Sequence, residues 1–461
     1  MQLSDVERVY FIGIGGIGMS AVARYFRSRG VAVAGYDKIR TLLTETLEGE
    51  GMDIHYTARP ELVPAAAADL LIVYTPAIPN DFPELVKVRS GQYTVMKRSQ
   101  VLGLISEAMR CVGIAGTHGK TTTTTITAYL MGTAGLDPSA FLGGIARDFA
   151  GNYVHGQSDW VVVEADEYDR SFLTLHPEIA VVLSTDPDHL DIYGDHDNML
   201  ETGFRAFARQ IKPGGQLIVR YDVAEHFTRL DEILVTTFGI GRGDFCAHNI
   251  RVVHGAFQFD LREPDGHLIQ NLRTALPGRH NIENAVAACA VTRLAGGGEE
   301  HLREGLANFH GIARRFETVL RTDELVIIDD YAHHPTELRA AIAAARELYP
   351  DKTIRGVFQP HLYSRTQDFA PGFARALDAL DEAIIIPIYP AREAPIPGVS
   401  SQLVYGMMKN EKRRLLTDTQ MLEATAELTD GVLLLLGAGD IDALVRRVVA
   451  QHRKTTVSHG K

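Results

Sequence analysis

Cys111-Val-Gly-Ile-Ala-Gly116-Thr117-His118-Gly119-Lys120-Thr121-Thr122, followed by three more threonines, decides how this chain is read. Residues 111–115 have the apolar run of a buried strand, and 125–131 continue as a helix that stops near Gly135. Strand, glycine turn and helix in that order aim backbone N–H groups and a positive helix end at an anion. Gly116 and Gly119 let the backbone approach a polyphosphate, Lys120 adds a point charge on the outer phosphates, and the Thr121 hydroxyl suits Mg²⁺. The match to a standard phosphate loop is incomplete, because Ile114 stands where that loop has its first glycine. Capping threonines at a helix start are the plainer account. The expected ligand of the whole pattern is ATP.

Outward from this turn, strand-like and helical runs alternate nearly throughout, which predicts an α/β protein with mainly parallel sheets. A first block has strands at 9–12, 31–35 and 70–74 and runs to about residue 106. A second carries the 111–115 strand, others at 160–163 and 179–183, β-rich sequence over 214–275 and a helix over 281–294. A third starts after Phe316-Glu317, with strands at 325–328, 383–386 and 432–436, and a polar, frayed tail is expected from His452. The expected domains are 1–106, 107–318 and 319–461. With 461 residues, two to three domains are the prior in any case.

Composition excludes several classes. A net charge of −12 leaves no basic excess to neutralise a nucleic acid. The three cysteines, Cys111, Cys246 and Cys289, are too scattered for a disulfide framework or thiolate site and read as buried fillers. The start of the chain lacks the basic and apolar regions of a signal peptide, and no apolar run approaches the ~20 residues that span a bilayer. A cytoplasmic protein without membrane insertion is expected.

The other ligand-type patterns lie at strand ends, where open α/β sheets bind ligands. Gly13-Ile14-Gly15-Gly16-Ile17-Gly18 sits between a strand and a helix, with Asp37 some twenty residues on and Thr75 ending a neighbouring strand. The pattern specifies a diphosphate at a helix N-terminus and a ribose nearby; NAD and a UDP-sugar satisfy it equally, and close helix–strand packing would produce it without any ligand. Glu164, at a strand end in the same block as Lys120, is placed to ligand Mg²⁺, and His189 is a candidate for a second divalent ion. The stretch from Gly278 to Ala285, with Asn281, opens a helix with amides suited to a purine. Arg315 lies at the second junction, where an arginine can swing onto a γ-phosphate as domains close. Asp330, Tyr331 and His333 follow a strand of the third block directly.

Taken in order, Gly13 to Ser20, the 116–121 turn, 164–167, 188–191, 278–284, 311–317, 330–335 and 359–366 resemble the Mur ligase family over essentially the whole chain. The resemblance implies a UDP-binding Rossmann-like N-terminal domain, a central P-loop-type ATPase domain and a Rossmann-like C-terminal domain that brings the amino acid. It implies ATP-driven joining of L-alanine to the lactyl carboxylate of UDP-N-acetylmuramate, in peptidoglycan precursor synthesis. By position, Lys120 and Thr121 meet phosphate and Mg²⁺, and Glu164 and His189 serve the metals. Asn281 faces the adenine, Arg315 and Asp330 reach ATP from the hinge side, and Tyr331, His333, His361 and Arg365 surround the incoming alanine. Lys120, His189 and Arg315 are the expected catalytic groups. Two departures stand out. Tyr168 occupies a position where serine is expected, and no lysine occurs between Lys120 and Lys212, so no lysine carbamate is expected.

The alternatives are separable. An NAD-dependent oxidoreductase explains residues 13–37 and leaves Lys120, Glu164 and Arg315 idle, and a regulatory ATPase leaves both flanking domains idle. Within the family, the rival is the recycling ligase that adds the tripeptide L-Ala-γ-D-Glu-meso-diaminopimelate to the same UDP-sugar. Tyr168 favours that rival, while residues 13–20 and the leucine after His189 favour L-alanine.

Overall fold

Three sheets with helices between their strands organise the chain in a computed structural model. The structure describes residues 3–458 apart from His189, Arg229, Asp231 and Arg392. The α/β expectation holds, with strands matching the sequence reading in all three blocks.

The first sheet runs, edge to edge, Asp53–His55, Ala32–Tyr36, Arg8–Ile12, Leu70–Tyr74 and Thr94–Lys97, and every neighbouring pair is parallel. Strand order therefore reverses about Arg8–Ile12, and a crevice opens beyond its carboxyl end. The glycine turn fills that position. Gly13 has φ +93°, and the helix Ile17–Ser28 follows, burying Met19, Ala21, Val22, Ala23 and Phe26. Apolar residues at that spacing are what hold this helix to the sheet.

The central sheet has ten strands, and Arg110–Ala115 lies at its reversal, parallel to Ile179–Val182 on one side and Trp160–Glu164 on the other. Register sets Glu164 opposite Ile114, level with the exit of the strand that feeds the lysine turn. The helix Lys120–Thr133 buries Thr121 to Thr125, although threonine is a weak helix former. Two of their hydroxyls are used internally: Thr125 Oγ1 donates to Thr121 O (2.7 Å) and Thr123 Oγ1 to Asn284 Oδ1 (3.1 Å). The antiparallel hairpin Ser139–Ala146 and Gly151–Val154 closes one edge.

The third sheet orders Glu317–Arg321, Leu325–Asp330, Gly431–Leu436, Ile354–Phe358, Glu382–Ile385 and Arg413–Leu415, parallel except for its first pair. One expectation is corrected here. No frayed tail begins at His452; the helix Ile441–Ser458 runs through it. Leu444, Val445, Val448 and Val449 form a buried stripe at helical spacing, and the buried His452 ring bonds Thr425 O through Nε2 (3.0 Å). The polar letters around that stripe hid its period.

The chain divides into two compact units. One comprises Met1–Asn249, Phe259–Leu272 and Glu283–His310; the other comprises Ile250–Gln258, Arg273–Ile282 and Gly311–Lys461. Within the first unit, Asn152 ties the first sheet's glycine helix to the central sheet. Its amide donates to Ile17 O and to Ser20 Oγ (2.8 Å), and its Oδ1 accepts from Arg24, which also pairs with Glu50 at 2.7 Å. All three cysteines are free and buried, as expected; burial pushes the Cys111 thiol up to about 12. No helix among the described residues is long and apolar enough to cross a membrane.

Candidate active site

The turn between strand Arg110–Ala115 and helix Lys120–Thr133 is built on two left-handed or extended glycines. Gly116 has φ +141° and Gly119 φ +83°, and a Cβ on Gly119 would lie 2.5 Å from Asn284 Oδ1. Neighbouring strand-end groups hold the loop: Thr117 N donates to Ser184 O (3.2 Å), His118 N to Ser184 Oγ (2.9 Å) and Thr117 Oγ1 to Asp186 O (3.0 Å). Gly119 caps the helix without a side-chain bond, and no acidic residue lies in its first turn. That arrangement receives anions.

Lys120 is the site's main charge. Its Nζ donates to Gly116 O (2.8 Å) and to both carboxylate oxygens of Glu167 (2.7 and 2.9 Å). Burial works to depress its pKa, and Glu167, Asp166 and Glu164 more than reverse this, so the ammonium is held charged. Glu167, only 1% exposed, was not singled out from the sequence; four acids in six residues read as a solvated loop. Tyr193 OH fixes its backbone by donating to Glu167 O (2.7 Å).

A cleft of about 860 Å³ opens beside this turn, and all seven residues expected at the sugar nucleotide line it: Gly13, Gly15, Gly16, Ile17, Gly18, Asp37 and Thr75. Asp37 accepts the Gly15 N–H through Oδ2 (2.7 Å), which shapes the loop. Tyr36 and Phe82 add rings 4.6 Å apart. Glu164 and Asp166 also line the cleft, so the glycine loop and the acidic strand end share one space. Glu164 lies over Gly143, where a Cβ would come within 2.1 Å of its carboxylate. Arg98 and the Phe141-Leu142-Gly143 stretch, which the sequence reading did not name, line it too.

Thr121 and Glu164 offer hard oxygen donors of the kind Mg²⁺ takes. Among the described residues no group of three or more His, Cys, Asp or Glu is placed to hold a metal. His189, expected as a second metal ligand, lies outside the described residues.

The remaining candidates belong to the second unit. Buried Asn281 donates its amide to Pro277 O (2.7 Å). Asp330 accepts from Phe316 N and Ala332 N (2.8 Å each), so its carboxylate braces the loop around Arg315; burial foremost raises it to about 6. Arg314 and Arg315 each lie 5.0 Å from the Tyr331 ring centroid. Arg314 is committed locally, donating to Gly437 O (2.6 Å). Tyr331, His333 and His361 form a chain of ring contacts at 5.4 and 6.1 Å. Nδ1 of His333 donates to Tyr331 O (3.0 Å), leaving Nε2 as the acceptor, and burial above all keeps the ring neutral, with Arg365 acting in the same sense. Arg365 sits in the first turn of the helix Tyr363–Leu377, and His361 stacks on Tyr389 at 5.8 Å.

Comparison with known proteins covers nearly the whole chain. The profile of the Mur ligase family, catalytic domain, matches residues 8–110; that of the Mur ligase middle domain matches 114–292; and that of the Mur ligase, glutamate ligase domain, matches 314–444. The UDP-N-acetylmuramate–L-alanine ligase of Porphyromonas gingivalis is 46% identical over 448 residues, covering 95% of this chain and 98% of that protein. The protein of the same description from Phocaeicola vulgatus is 44% identical over 453 residues, covering 97% and 98%. Among solved structures, a UDP-N-acetylmuramate-alanine ligase from Thermotoga maritima superposes with a TM-score of 0.80 at 27% identity, over 97% of this chain and 99% of that one. A murein peptide ligase from Psychrobacter arcticus shares the fold, with a TM-score of 0.67 at 20% identity over 96% and 98%.

Proposed function

The chain belongs to the Mur ligase family, and from that premise we propose that it joins L-alanine to the lactyl carboxylate of UDP-N-acetylmuramate at the expense of ATP, in peptidoglycan precursor synthesis. The observation that carries this reading is the single cleft lined by the glycine loop and by Glu164 and Asp166, beside Lys120. A sugar nucleotide seated on the loop extends its acyl end toward the phosphate-binding turn. Relatives over 40% identical along almost the full length, described as L-alanine ligases, support the choice of acceptor.

A carboxylate is a poor acylating agent, because oxide is its leaving group. In the proposed reaction a lactyl carboxylate oxygen attacks the γ-phosphorus of ATP and ADP leaves, giving an acyl phosphate. The alanine amine then attacks the acyl carbon, phosphate departs and the amide forms; no protein nucleophile is required. The chain's task is positioning and electrostatic stabilisation. Lys120 and the N–H groups of residues 116–121 hold the phosphates, with Thr122 beside them. Thr121 and Glu164 hold Mg²⁺, which neutralises charge on the transferring oxygens when bound. Asn281, Arg315 and Asp330 are assigned to the nucleotide. Arg365 clamps the alanine carboxylate, and Tyr331, His333 and His361 confine the space beside the methyl group. We place the domain limits near residues 106 and 318.

Phosphate release measured with UDP-N-acetylmuramate, ATP and each candidate acceptor tests the proposal. L-Alanine should drive release, and the tripeptide L-Ala-γ-D-Glu-meso-diaminopimelate should do so poorly. A faster reaction with the tripeptide would make the chain a recycling ligase.

A further inference from the structure

We propose that Glu393 is a positioning residue of the acceptor site: its carboxylate fixes the start of the helix Tyr363–Leu377 and so aims Arg365 at the carboxylate of the incoming amino acid. This role rests on the reading of Arg365 as the clamp on that carboxylate, and both residues lie in the second unit. Leu362, at the N-cap of the helix, has φ +68° and makes no side-chain capping bond. A leucine rarely takes such a backbone conformation, which persists only where the surrounding structure holds it. Without outside partners the first turn would have unanswered N–H groups as well as a strained entry. Arg365 sits in that turn.

The missing cap comes from the connection between the strand Glu382–Ile385 and the helix Ser401–Met407. Glu393 Oε2 accepts from Ser364 N (3.0 Å), and Oε1 accepts from Ser364 Oγ. Burial opposes a charge on Glu393, but the bonds from Ser364 and from Tyr363 N outweigh it, so the carboxyl is held below its usual range. Its charge also meets the positive end of the helix. The same connection holds the neighbouring arm of the cluster. Tyr389 O accepts from Leu362 N (2.9 Å), Tyr389 N donates to Pro360 O (2.9 Å), and the Tyr389 ring stacks on His361. Gly439 backs Tyr389 closely, since a Cβ there would lie 2.6 Å from the Tyr389 Cβ. Glu393 and Tyr389 thus grip the chain at both ends of the stretch from His361 to Arg365. Because Glu393 takes up N–H groups of the first turn, the acceptor's carboxylate is left to the Arg365 guanidinium, a fork donor that matches it.

Steady-state kinetics on the full-length protein test this role, with L-alanine, ATP and UDP-N-acetylmuramate varied in turn and each variant checked for folding by its thermal melt. Glu393→Ala should raise the KM for L-alanine about ten- to hundredfold, with a smaller fall in kcat and unchanged KM values for the other two substrates. Glu393→Gln keeps one acceptor oxygen and should recover part of the loss. Ser364→Ala spares the N–H bond and should lose less than Glu393→Ala. If Glu393 acts through Arg365, adding Glu393→Ala to Arg365→Ala should be hardly worse than Arg365→Ala alone. Additive losses in that double variant, unchanged kinetics in Glu393→Ala, or equal rises in all three KM values would overturn the role. Should Glu393→Ala fail to fold, Glu393→Gln and Ser364→Ala are judged by the same criteria. No turnover with L-alanine in the unmodified protein would instead sink the acceptor reading itself.

Discussion

Lys120 meets Glu167 at 2.7 Å, so any phosphate that claims this ammonium has to draw it from a carboxylate already in place. Removing one partner of a buried pair leaves the other uncompensated. Glu167→Gln should therefore melt at a lower temperature than the parent protein, and a non-hydrolysable ATP analogue should raise the melting temperature of the variant more than that of the parent. Equal shifts would show that Glu167 is not displaced. Lys120→Ala, by contrast, should lower turnover by about two or more orders of magnitude while calorimetry finds UDP-sugar binding nearly unchanged. A second residue-scale effect concerns Asp329, which burial raises from 3.8 to about 7, against the opposing charge of Arg314. The folded state thus holds a proton that the unfolded state releases, so this group's contribution is full below pH 4 and is lost as pH rises toward and through 7. Asp329→Asn should flatten the fall in melting temperature between pH 5 and pH 8; an unaltered slope would refute the shift.

Elements were legible where apolar runs had unmistakable length, and less so where the signal was polar. The strands at 9–12, 111–115 and 432–436 are fully apolar stretches, and each is buried in its sheet centre. The hairpin Ser139–Ala146 and Gly151–Val154 escaped notice because its glycines and polar residues obscure the period of two. The phosphate-type turn was readable because glycines and a lysine at fixed spacing state a local chemistry. Glu167 and Arg98 were not, since each acquires meaning only from a neighbour far off in sequence: Lys120 in one case, Gly18 in the other. Asn152 is a third such residue, joining the glycine helix to a strand of the central sheet. Asn152→Ala should remove the amide that both the Ile17 carbonyl and the Ser20 hydroxyl accept from, costing roughly 1 kcal/mol of stability. It should also weaken UDP-sugar binding, because the helix that carries the loop loses its brace. A variant with normal stability and affinity would make that contact incidental.

At the scale of the whole molecule, Arg365, proposed above to clamp the acceptor, belongs to a unit separate from the one carrying Lys120, so the two half-reactions should respond to different substitutions. Arg365→Ala should raise the KM for L-alanine far more than that for ATP. Glycine should be a poorer acceptor than alanine, the lost methyl contact being worth roughly 1–3 kcal/mol. Steady-state kinetics with each amino acid checks both, and parallel changes in the two KM values would contradict the division of labour. The cleft described above has a consequence for inhibition. Its glycine loop and its acidic end line one cleft within one compact unit, so a single ligand can span the distance between them. A uridine-like fragment and a phosphonate fragment, each weak alone, can be tethered across that distance. The second group then binds at a local concentration in the millimolar range, and the pair can gain about 10²–10⁴ in avidity without any new contact. Tether length, more than fragment chemistry, should govern the potency of such a series.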